Sequence, residues 1–192
     1  RERSLGYGGK CVEVVPHIPL EVIDRINKAA KKDKANIVIV EIGGTVGEYE
    51  NILFLEAVRM LKLKKPGDVL LVLVSYVPAL GAGGTELKTK PTQASVRELR
   101  SLGIQPDFIL ARADLPIKKD HIKKIALFCD VEEKYVIQAQ TVKSIYEVPL
   151  NLQKYNIAQL LAEKLKLGKL KLDLKEWREV NKKIKAKKPS LK

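Results

Sequence analysis

The sequence predicts an α/β fold, in which a mostly parallel sheet is flanked by helices. Three observations lead to this prediction. Short apolar runs alternate along the chain with stretches in which apolar residues recur every three or four positions. Several of the short runs are apolar on both faces, as buried parallel strands are. The 192 residues, 45% of them hydrophobic, are also enough to bury one sizeable core.

Six short apolar runs are strand candidates, because four to eight apolar residues in succession are typical of a buried strand. The candidates are residues 11–15, 36–40, 68–75, 107–112, 124–128 and 135–139.

Apolar residues at helical spacing predict four helices. The third of them has two candidate beginnings, a capping box formed by Ser95 and Glu98, and an N-cap at Thr92 one turn earlier. The periodic apolar positions are, in chain order, Leu20, Ile23 and Ile26; Leu55, Val58 and Leu61; Val96, Leu99 and Leu102; and, within residues 156–167, Ile157, Leu160, Leu161 and Leu165.

The net charge of +13 would ordinarily indicate a polyanionic partner. Its distribution argues against this. From residue 164 to the end, eleven lysines and one arginine stand against three acidic residues, so most of the excess charge lies in the tail. Aromatic residues, on which bases could stack, make up only 5% of the chain. We therefore expect residues 1–167 to form the domain and residues 168–192 to be a solvated basic segment rather than an RNA-binding arm.

No apolar run approaches the roughly 20 residues of a membrane-spanning helix, and the basic start is not followed by the apolar region of a secretory signal. These observations predict a soluble protein of the cytoplasm. Cys11 and Cys129 have neither metal-ligand spacing nor the density of a disulfide scaffold. We expect reduced structural thiols, and a catalytic cysteine is the less favoured alternative.

Glu41 follows the apolar run 36–40 and is itself followed by Gly43 and Gly44, which permit a tight turn. Ligands of α/β sheets gather where parallel strands end, and Mg²⁺ needs few protein ligands when phosphate oxygens and water supply the rest. Glu41 is therefore a candidate metal ligand. The alternative is that Glu41 caps or pairs and that the glycines are ordinary turn residues, and taken alone the stretch favours this alternative.

The stretch "ELKTKPTQASVRELRSLGIQPD" places two lysines, Lys88 and Lys90, directly before a predicted helix. In an extended segment they would project to the same side, and Pro91 stiffens the entry into the helix. Two cations beside a helix N-terminus favour phosphate binding, and Gln93 can both donate and accept hydrogen bonds. The alternative is a solvated basic turn before a capped helix.

Two further pairs of residues invite a structural interpretation. Arg112 and Asp114 follow the predicted strand 107–112 and are expected to form an ion pair. His17 and His121 are expected to be packed structural residues rather than bases.

Four motifs resemble, in the same order, the synthetase (amidoligase) domain of CTP synthase. They are "VEIGGTVGEYEN", "ELKTKPTQASVRELRSLGIQPD", "KIALFCDV" and "SIYEVPL". The resemblance covers most of the chain from residue 1 to about residue 150. It implies a P-loop NTPase-like fold, similar to that of dethiobiotin synthetase.

The resemblance also implies a reaction and its partners. ATP phosphorylates the 4-oxygen of UTP, and ammonia from glutamine hydrolysis in a glutaminase domain displaces the phosphate to give CTP. The implied cofactor is Mg²⁺, the implied co-substrate is ATP, the implied inhibitor is CTP, and the implied assembly is a homotetramer. No membrane partner is expected, and nucleic acid is not favoured as a partner.

Site residues follow from the same resemblance. It implies that Glu41 binds the metal and that no side chain of this chain is assigned as catalytic. The implied nucleotide contacts are Lys88, Thr89, Lys90, Pro91, Thr92, Gln93 and Lys124, and the implied contacts to inhibitory CTP are Glu48, Tyr49 and Glu50.

The chain also departs from the family pattern. Glu48 and Tyr49 stand where an Asp-Ile pair is usual, which puts CTP feedback in question. Nothing matches the glycine-rich phosphate loop or the glutaminase nucleophile, so we expect an internal piece of the enzyme that is inactive alone. Two alternatives remain open, another P-loop amidoligase or ATPase and a basic nucleic-acid-binding adaptor.

Overall fold

The structure is a computed structural model that describes residues 1–81 and 83–186. Its residues divide into two compact units, the first made of residues 1–69 and 98–104, the second of residues 70–97 and those from 105 onward. The described helices are α1 (Val14–Lys32), α2 (Ile52–Lys64), α3 (Lys90–Ser101), α4 (Lys119–Cys129), α5 (Val148–Gln153), α6 (Ile157–Lys164) and α7 (Lys175–Lys185), with short 3-10 helices at Glu2–Ser4, Glu133–Tyr135 and Ile145–Glu147. The described strands are β1 (Val72–Tyr76), β2 (Ala79–Leu80), β3 (Glu86–Leu87), β4 (Phe108–Ala113) and β5 (Val136–Gln140).

The first unit contains helices α1 and α2, which pack against each other. Ile23 of α1 and Leu55 of α2 are buried, as the helical spacing of their apolar residues predicts. Ion pairs fasten the outer face of α1, because Arg1 contacts both Glu21, at 2.7 Å, and Asp24, at 2.8 Å.

The second unit contains a parallel sheet with the strand order β1-β4-β5. Val72 of β1 lies opposite Phe108 of β4, and Ile109 of β4 lies opposite Val136 of β5. The predicted strands at 68–75, 107–112 and 135–139 are therefore confirmed, with shifts at their ends. The Asp107 carboxylate secures the start of the β1–β4 pair by accepting a 2.8 Å hydrogen bond from the backbone N–H of Leu71.

One core cluster of this unit lies at the entrance to β4 and β5. The rings of Phe108 and Tyr135 meet edge to face with their centroids 4.8 Å apart, and Ile137 is buried beside them. The partly buried residues packed against this cluster include Leu152 of α5 and Ile157, Leu160 and Leu161 of α6. The predicted helix at 156–167 and its apolar face are thus confirmed.

Three predicted strands are wrong. Residues 124–128 lie inside α4, where Ile125, Ala126 and Cys129 are buried at helical spacing. Residues 36–40 have an irregular backbone, and Ile39 there is 92% exposed. Residues 11–15 run from irregular backbone into the start of α1, although Val15 itself keeps extended angles.

Helix α3 begins at Lys90, so both predicted beginnings, at Thr92 and at Ser95, are wrong. Ser95 lies inside the helix, and its hydroxyl donates a 3.2 Å hydrogen bond to the carbonyl of Pro91. Intrahelical bonding of this kind competes with capping for the same hydroxyl.

The basic tail contains helix α7, which packs against α5 and the 3-10 helix Ile145–Glu147 of the second unit. Asn181 is 5% exposed, and its side-chain amide donates to the backbone carbonyls of Tyr146 and Trp177. Lys185 pairs with Glu147 at 3.3 Å. The tail is therefore solvated only in part, while residues 187–192 lie outside the described residues. None of the described helices combines the length and the apolar character that crossing a membrane requires.

Cys11 is exposed and Cys129 is buried, and the two do not form a disulfide with each other.

Candidate functional site

A short β-hairpin leads into α3, and Lys88 lies between the two. Strands β2 and β3 pair antiparallel, with Leu80 opposite Glu86. The N–H of Lys88 then donates a 2.8 Å hydrogen bond to the carbonyl of Pro78, which extends the pairing by one more contact. The hairpin therefore fixes the backbone of Lys88, from which its long side chain extends.

Two threonines of the KTKPTQ motif face inward. Thr92 is fully buried, and its Oγ1 accepts a 2.9 Å hydrogen bond from the hydroxyl of buried Ser75 in β1. Thr89 is 4% exposed and accepts a 3.1 Å hydrogen bond from the side-chain amide of Gln93. The Ser75–Thr92 bond holds the first turn of α3 against the sheet, while the bond between Thr89 and Gln93 stays within the start of the helix. Lys90 is exposed and Lys88 is partly exposed beside these inward-facing threonines.

A cleft of about 570 Å³ lies between this hairpin, the first turn of α3 and helix α4. Lys88, Thr89, Lys90 and Pro91 line one side of the cleft, and Lys124 of α4 lines the other. Three lysines from two separate parts of the chain thus converge on one concave surface. Phosphate groups carry negative charge with or without bound Mg²⁺. A cleft with three lysines is therefore suited to bind them.

Acidic and imidazole groups also line the cleft. The Glu86 carboxylate lies 2.6 Å from the Lys88 amine. The hydrogen bond and charge of Lys88, with smaller contributions from His121 and Lys124, hold the pKa of Glu86 below its usual value. Asp120 completes this side of the cleft.

The two histidines differ in their surroundings. The Nδ1 of His17 lies 3.0 Å from the backbone N–H of Glu13, and its ring meets that of Tyr7 at a centroid distance of 5.1 Å, so its structural interpretation is confirmed. His121 instead lines the cleft, and its Nδ1 is buried without a hydrogen-bond partner. Whether His121 is a structural residue or takes part in ligand binding stays a prediction.

A polar cluster lies where the three parallel strands end. Asp114, just after β4, accepts hydrogen bonds from the hydroxyls of Tyr76, at 2.7 Å, and Thr141, at 2.6 Å. The bonds from Thr141 and Tyr76, and then the charge of Arg112, hold the pKa of Asp114 below its usual value. Two hydroxyls, rather than the expected ion pair with Arg112, therefore fasten this carboxylate. The sequence analysis missed Tyr76 and Thr141, although the carboxyl-edge rule points to both positions.

Glu41 and the glycine-rich turn after it belong to the first unit. Asn51, 3% exposed, closes this turn by donating from its side-chain amide to the carbonyl of Thr45 at 2.6 Å. Hydrogen bonds from the side chain and backbone of Thr45 lower the pKa of Glu48, so this carboxylate faces its own turn. Glu41 is exposed, and so are Tyr49 and Glu50.

The described geometry can be compared with known proteins. Residues 1–167 match the family model described as the CTP synthase N-terminus. The chain belongs to this family. The predicted resemblance is confirmed, and the parallel sheet flanked by helices agrees with the expected amidoligase fold.

Several relatives named CTP synthase support the assignment. The chain is 48% identical to the CTP synthase of Bacillus licheniformis over 186 residues, which are 96% of this chain and 35% of that protein. It is 48% identical to the CTP synthase of Methanococcus maripaludis over 182 residues, 94% of this chain and 33% of that protein. Identity to the CTP synthase of Caldanaerobacter subterraneus subsp. tengcongensis is 47% over 180 residues, 93% of this chain and 33% of that protein. The chain spans about a third of the length of the curated relatives it matches.

The metal ion that this family implies is Mg²⁺. Among residues 1–81 and 83–186, no group of three or more His, Cys, Asp or Glu side chains could hold a metal ion by itself. The exposed Glu41 carboxylate is a hard oxygen ligand of the kind that Mg²⁺ prefers, and Mg²⁺ accepts water and phosphate oxygens for its remaining positions. Glu41 therefore fits one position in the coordination shell of a nucleotide-bound Mg²⁺.

Proposed function

We propose that this chain binds nucleotides for the synthetase reaction of CTP synthase, in which ATP phosphorylates the 4-oxygen of UTP and ammonia displaces the phosphate. The observation that carries the proposal is the position of Lys124. This residue of α4 lines the same cleft as Lys88 and Lys90, so the two motifs "KTKPTQ" and "KIALF" face one ligand volume. The relatives named CTP synthase favour this reaction over another P-loop enzyme or a nucleic-acid adaptor.

In this proposal the three lysines hold the triphosphate of UTP. Lysine supplies a compact charge on a flexible stem, which suits a chain of phosphate oxygens, and the N-terminus of α3 adds backbone N–H groups and the positive end of its dipole. Thr92 is fully buried and serves the cleft indirectly by positioning the first turn of α3, whereas Thr89 lines the cleft itself. The side-chain amide of Gln93 donates to Thr89 in the empty cleft. In this proposal that bond opens when the ligand binds, and the amide then contacts the ligand.

The proposed metal ligand and the proposed inhibitor contacts all belong to the first unit. Glu41 would hold Mg²⁺, which neutralises phosphate charge during phosphoryl transfer. Of the three residues assigned to CTP inhibition, Glu48 is bonded within its own turn, whereas exposed Tyr49 and Glu50 are accessible to a ligand. Ammonia from glutamine, assembly into a homotetramer and a location in the cytoplasm remain predictions.

The test is nucleotide binding by the purified 192-residue chain, measured by isothermal titration calorimetry. Replacement of Lys88 or Lys90 by alanine is expected to weaken UTP binding about tenfold to a hundredfold, because each change removes a charge-assisted contact to phosphate. ATP binding is expected to change little, since these cations face one of the two nucleotides.

The control is Lys183→Ala, which removes an exposed charge from α7. Lys187 and Lys188 would serve the same purpose but lie outside the described residues. Equal losses for UTP and ATP, or a loss in Lys183→Ala as large as that in Lys88→Ala, would show that the motif contributes only to a diffuse positive field.

A further inference from the structure

The phosphate-binding cleft already contains an anion of its own. The Glu86 carboxylate lies 2.6 Å from the amine of Lys88, and both residues line the cleft. The Glu86 side chain is 65% exposed, so it is not held in place by packing. Its backbone is fixed by pairing with Leu80 in the hairpin, which leaves side-chain rotation as its freedom of movement.

The charges around Glu86 are those that a triphosphate would use. Lys88 lowers the pKa of this carboxylate most, and His121 and Lys124 on α4 lower it further. Asp120 is the other acidic residue that lines the cleft. Glu86 is therefore attracted to the same cations that the proposed function assigns to the ligand, and a bound triphosphate would be repelled by it.

We propose that Glu86 is a built-in competitor of the nucleotide triphosphate, which occupies Lys88 in the empty cleft and must turn away before the phosphates bind. This inference rests on the proposed function of the cleft. Glu86 lowers the affinity of the cleft for polyphosphates and thereby sets how easily bound triphosphate, whether substrate or product, is released.

The exposure of the pair makes such an exchange feasible. An exposed ion pair changes an equilibrium constant by no more than about fivefold, whereas breaking a buried pair would leave a strongly destabilised charge. A ligand with several negative charges contacts three lysines and easily exceeds this contribution. The cleft therefore remains able to bind its ligand, with an affinity below the one that its lysines alone would give.

The test compares UTP and inorganic tripolyphosphate by titration calorimetry at low ionic strength, using the full 192-residue chain. Glu86→Gln keeps the shape of the side chain and removes its charge. It is expected to tighten the binding of both ligands about two- to fivefold, because the effect acts on the phosphates and not on the base. The increase in affinity caused by Glu86→Gln is expected to be smaller in the Lys88→Ala background, because Glu86 then has no lysine at position 88 to pair with.

Glu132→Gln is the matched control. It removes the acidic partner of another exposed lysine pair in the same unit, Glu132 with Lys134 at 3.0 Å, which does not line the cleft. It is expected to leave both affinities unchanged.

The possible results separate the two proposals. If Lys88→Ala weakens binding but Glu86→Gln leaves it unchanged or weakens it, Glu86 is not a competitor and only this inference is overturned. Equal tightening by Glu132→Gln also overturns it, because the effect then belongs to net charge. If neither ligand binds, or binding does not depend on Lys88, the proposed function of the cleft is overturned.

Discussion

The hydroxyl of Ser75 donates a 2.9 Å hydrogen bond to Oγ1 of Thr92, and both residues are buried. This contact joins the first strand of the parallel sheet to the first turn of α3, the turn that carries Lys90. It is a polar contact inside the protein, since Ser75 is 6% exposed and Thr92 is fully buried. The position of the cleft lysines therefore depends on a buried pair of hydroxyls.

The first prediction concerns this pair. Thr92→Val keeps the shape of the side chain but leaves the Ser75 hydroxyl without its acceptor, and it is expected to lower the free energy of unfolding by about 1–3 kcal/mol. The double variant Ser75→Ala/Thr92→Val is expected to be destabilised by less than the sum of the two single changes, because no buried hydroxyl then lacks a partner. Urea denaturation measures all three variants. Strictly additive losses would show that the two hydroxyls are not coupled.

The second prediction concerns Lys124, which lines the cleft, and its neighbour Lys123, which does not. Both are exposed lysines of α4. Lys124→Ala is expected to weaken tripolyphosphate binding about tenfold, and Lys123→Ala to change it little, because only the first removes a direct contact to phosphate. Calorimetric titration at one fixed salt concentration compares the two variants. Similar losses in both would point to the general charge of α4.

The third prediction concerns the carboxylate of Asp114. Its pKa is lowered first by Thr141 and then by Tyr76, so removing these donors with Thr141→Val or Tyr76→Phe is expected to raise the pKa toward its usual value. Titration of the Asp114 carboxyl carbon by NMR measures the change. Tyr49→Phe, which alters a tyrosine that is 93% exposed, is the control and should leave that pKa unchanged.

The same shift has a consequence for stability. Because folding lowers the pKa of Asp114, its contribution is fully present above the ordinary carboxyl pKa and is lost as the pH falls through the lowered value. The stability difference between the natural chain and Thr141→Val should therefore be largest near neutral pH and vanish in acid. A difference that grows on acidification would contradict the assignment.

The fourth prediction concerns Glu41. Glu41→Gln is expected to weaken the binding of Mn²⁺, used as a paramagnetic substitute for Mg²⁺, in the presence of nucleotide. Because Glu41 is exposed, the free energy of unfolding should change by less than about 0.5 kcal/mol. Glu13→Gln removes another exposed carboxylate from the first unit and is the matched control. Water proton relaxation measures the bound metal. Equal effects of the two changes would contradict the assignment of Glu41 as the metal ligand.

The sequence predicts the helices better than the strands, and the errors have a physical origin. Residues 124–128 are a lysine followed by four apolar residues. A short apolar run of this kind fits a buried strand and a buried helix equally well. The deciding residue is Cys129, just outside the run, which completes a helical face with Ile125. The error did not affect Lys124 as a candidate, because the motif that singles it out does not depend on the type of element.

The candidate site, like the fold, could be predicted from the sequence only in part. The motif "KTKPTQ" singles out Lys88 and Lys90, because two closely spaced lysines at the start of a helix are visible in the local sequence. The pairing of Lys88 with Glu86 and the burial of Thr92 depend on the hairpin and on Ser75, which meets Thr92 only in the folded sheet. Ser75 and Thr92 lie 17 positions apart and their contact leaves no signature in a single sequence, whereas Glu86 and Lys88 are near neighbours whose pairing depends on the side-chain conformations in the hairpin.

The strand order β1-β4-β5 also constrains the sequence of events in folding. β4 is central and pairs with both of its neighbours, whereas β1 and β5 do not pair with each other. The contact between Leu71 and Asp107, at the start of the first pair, closes a loop of 36 residues, and such long-range closures are slow relative to helix formation. On a ribosome, β1 emerges first and has to wait for β4 before it finds a partner. In a pulse-labelled refolding experiment, the amide hydrogens of β1 should therefore gain protection no earlier than those of β4.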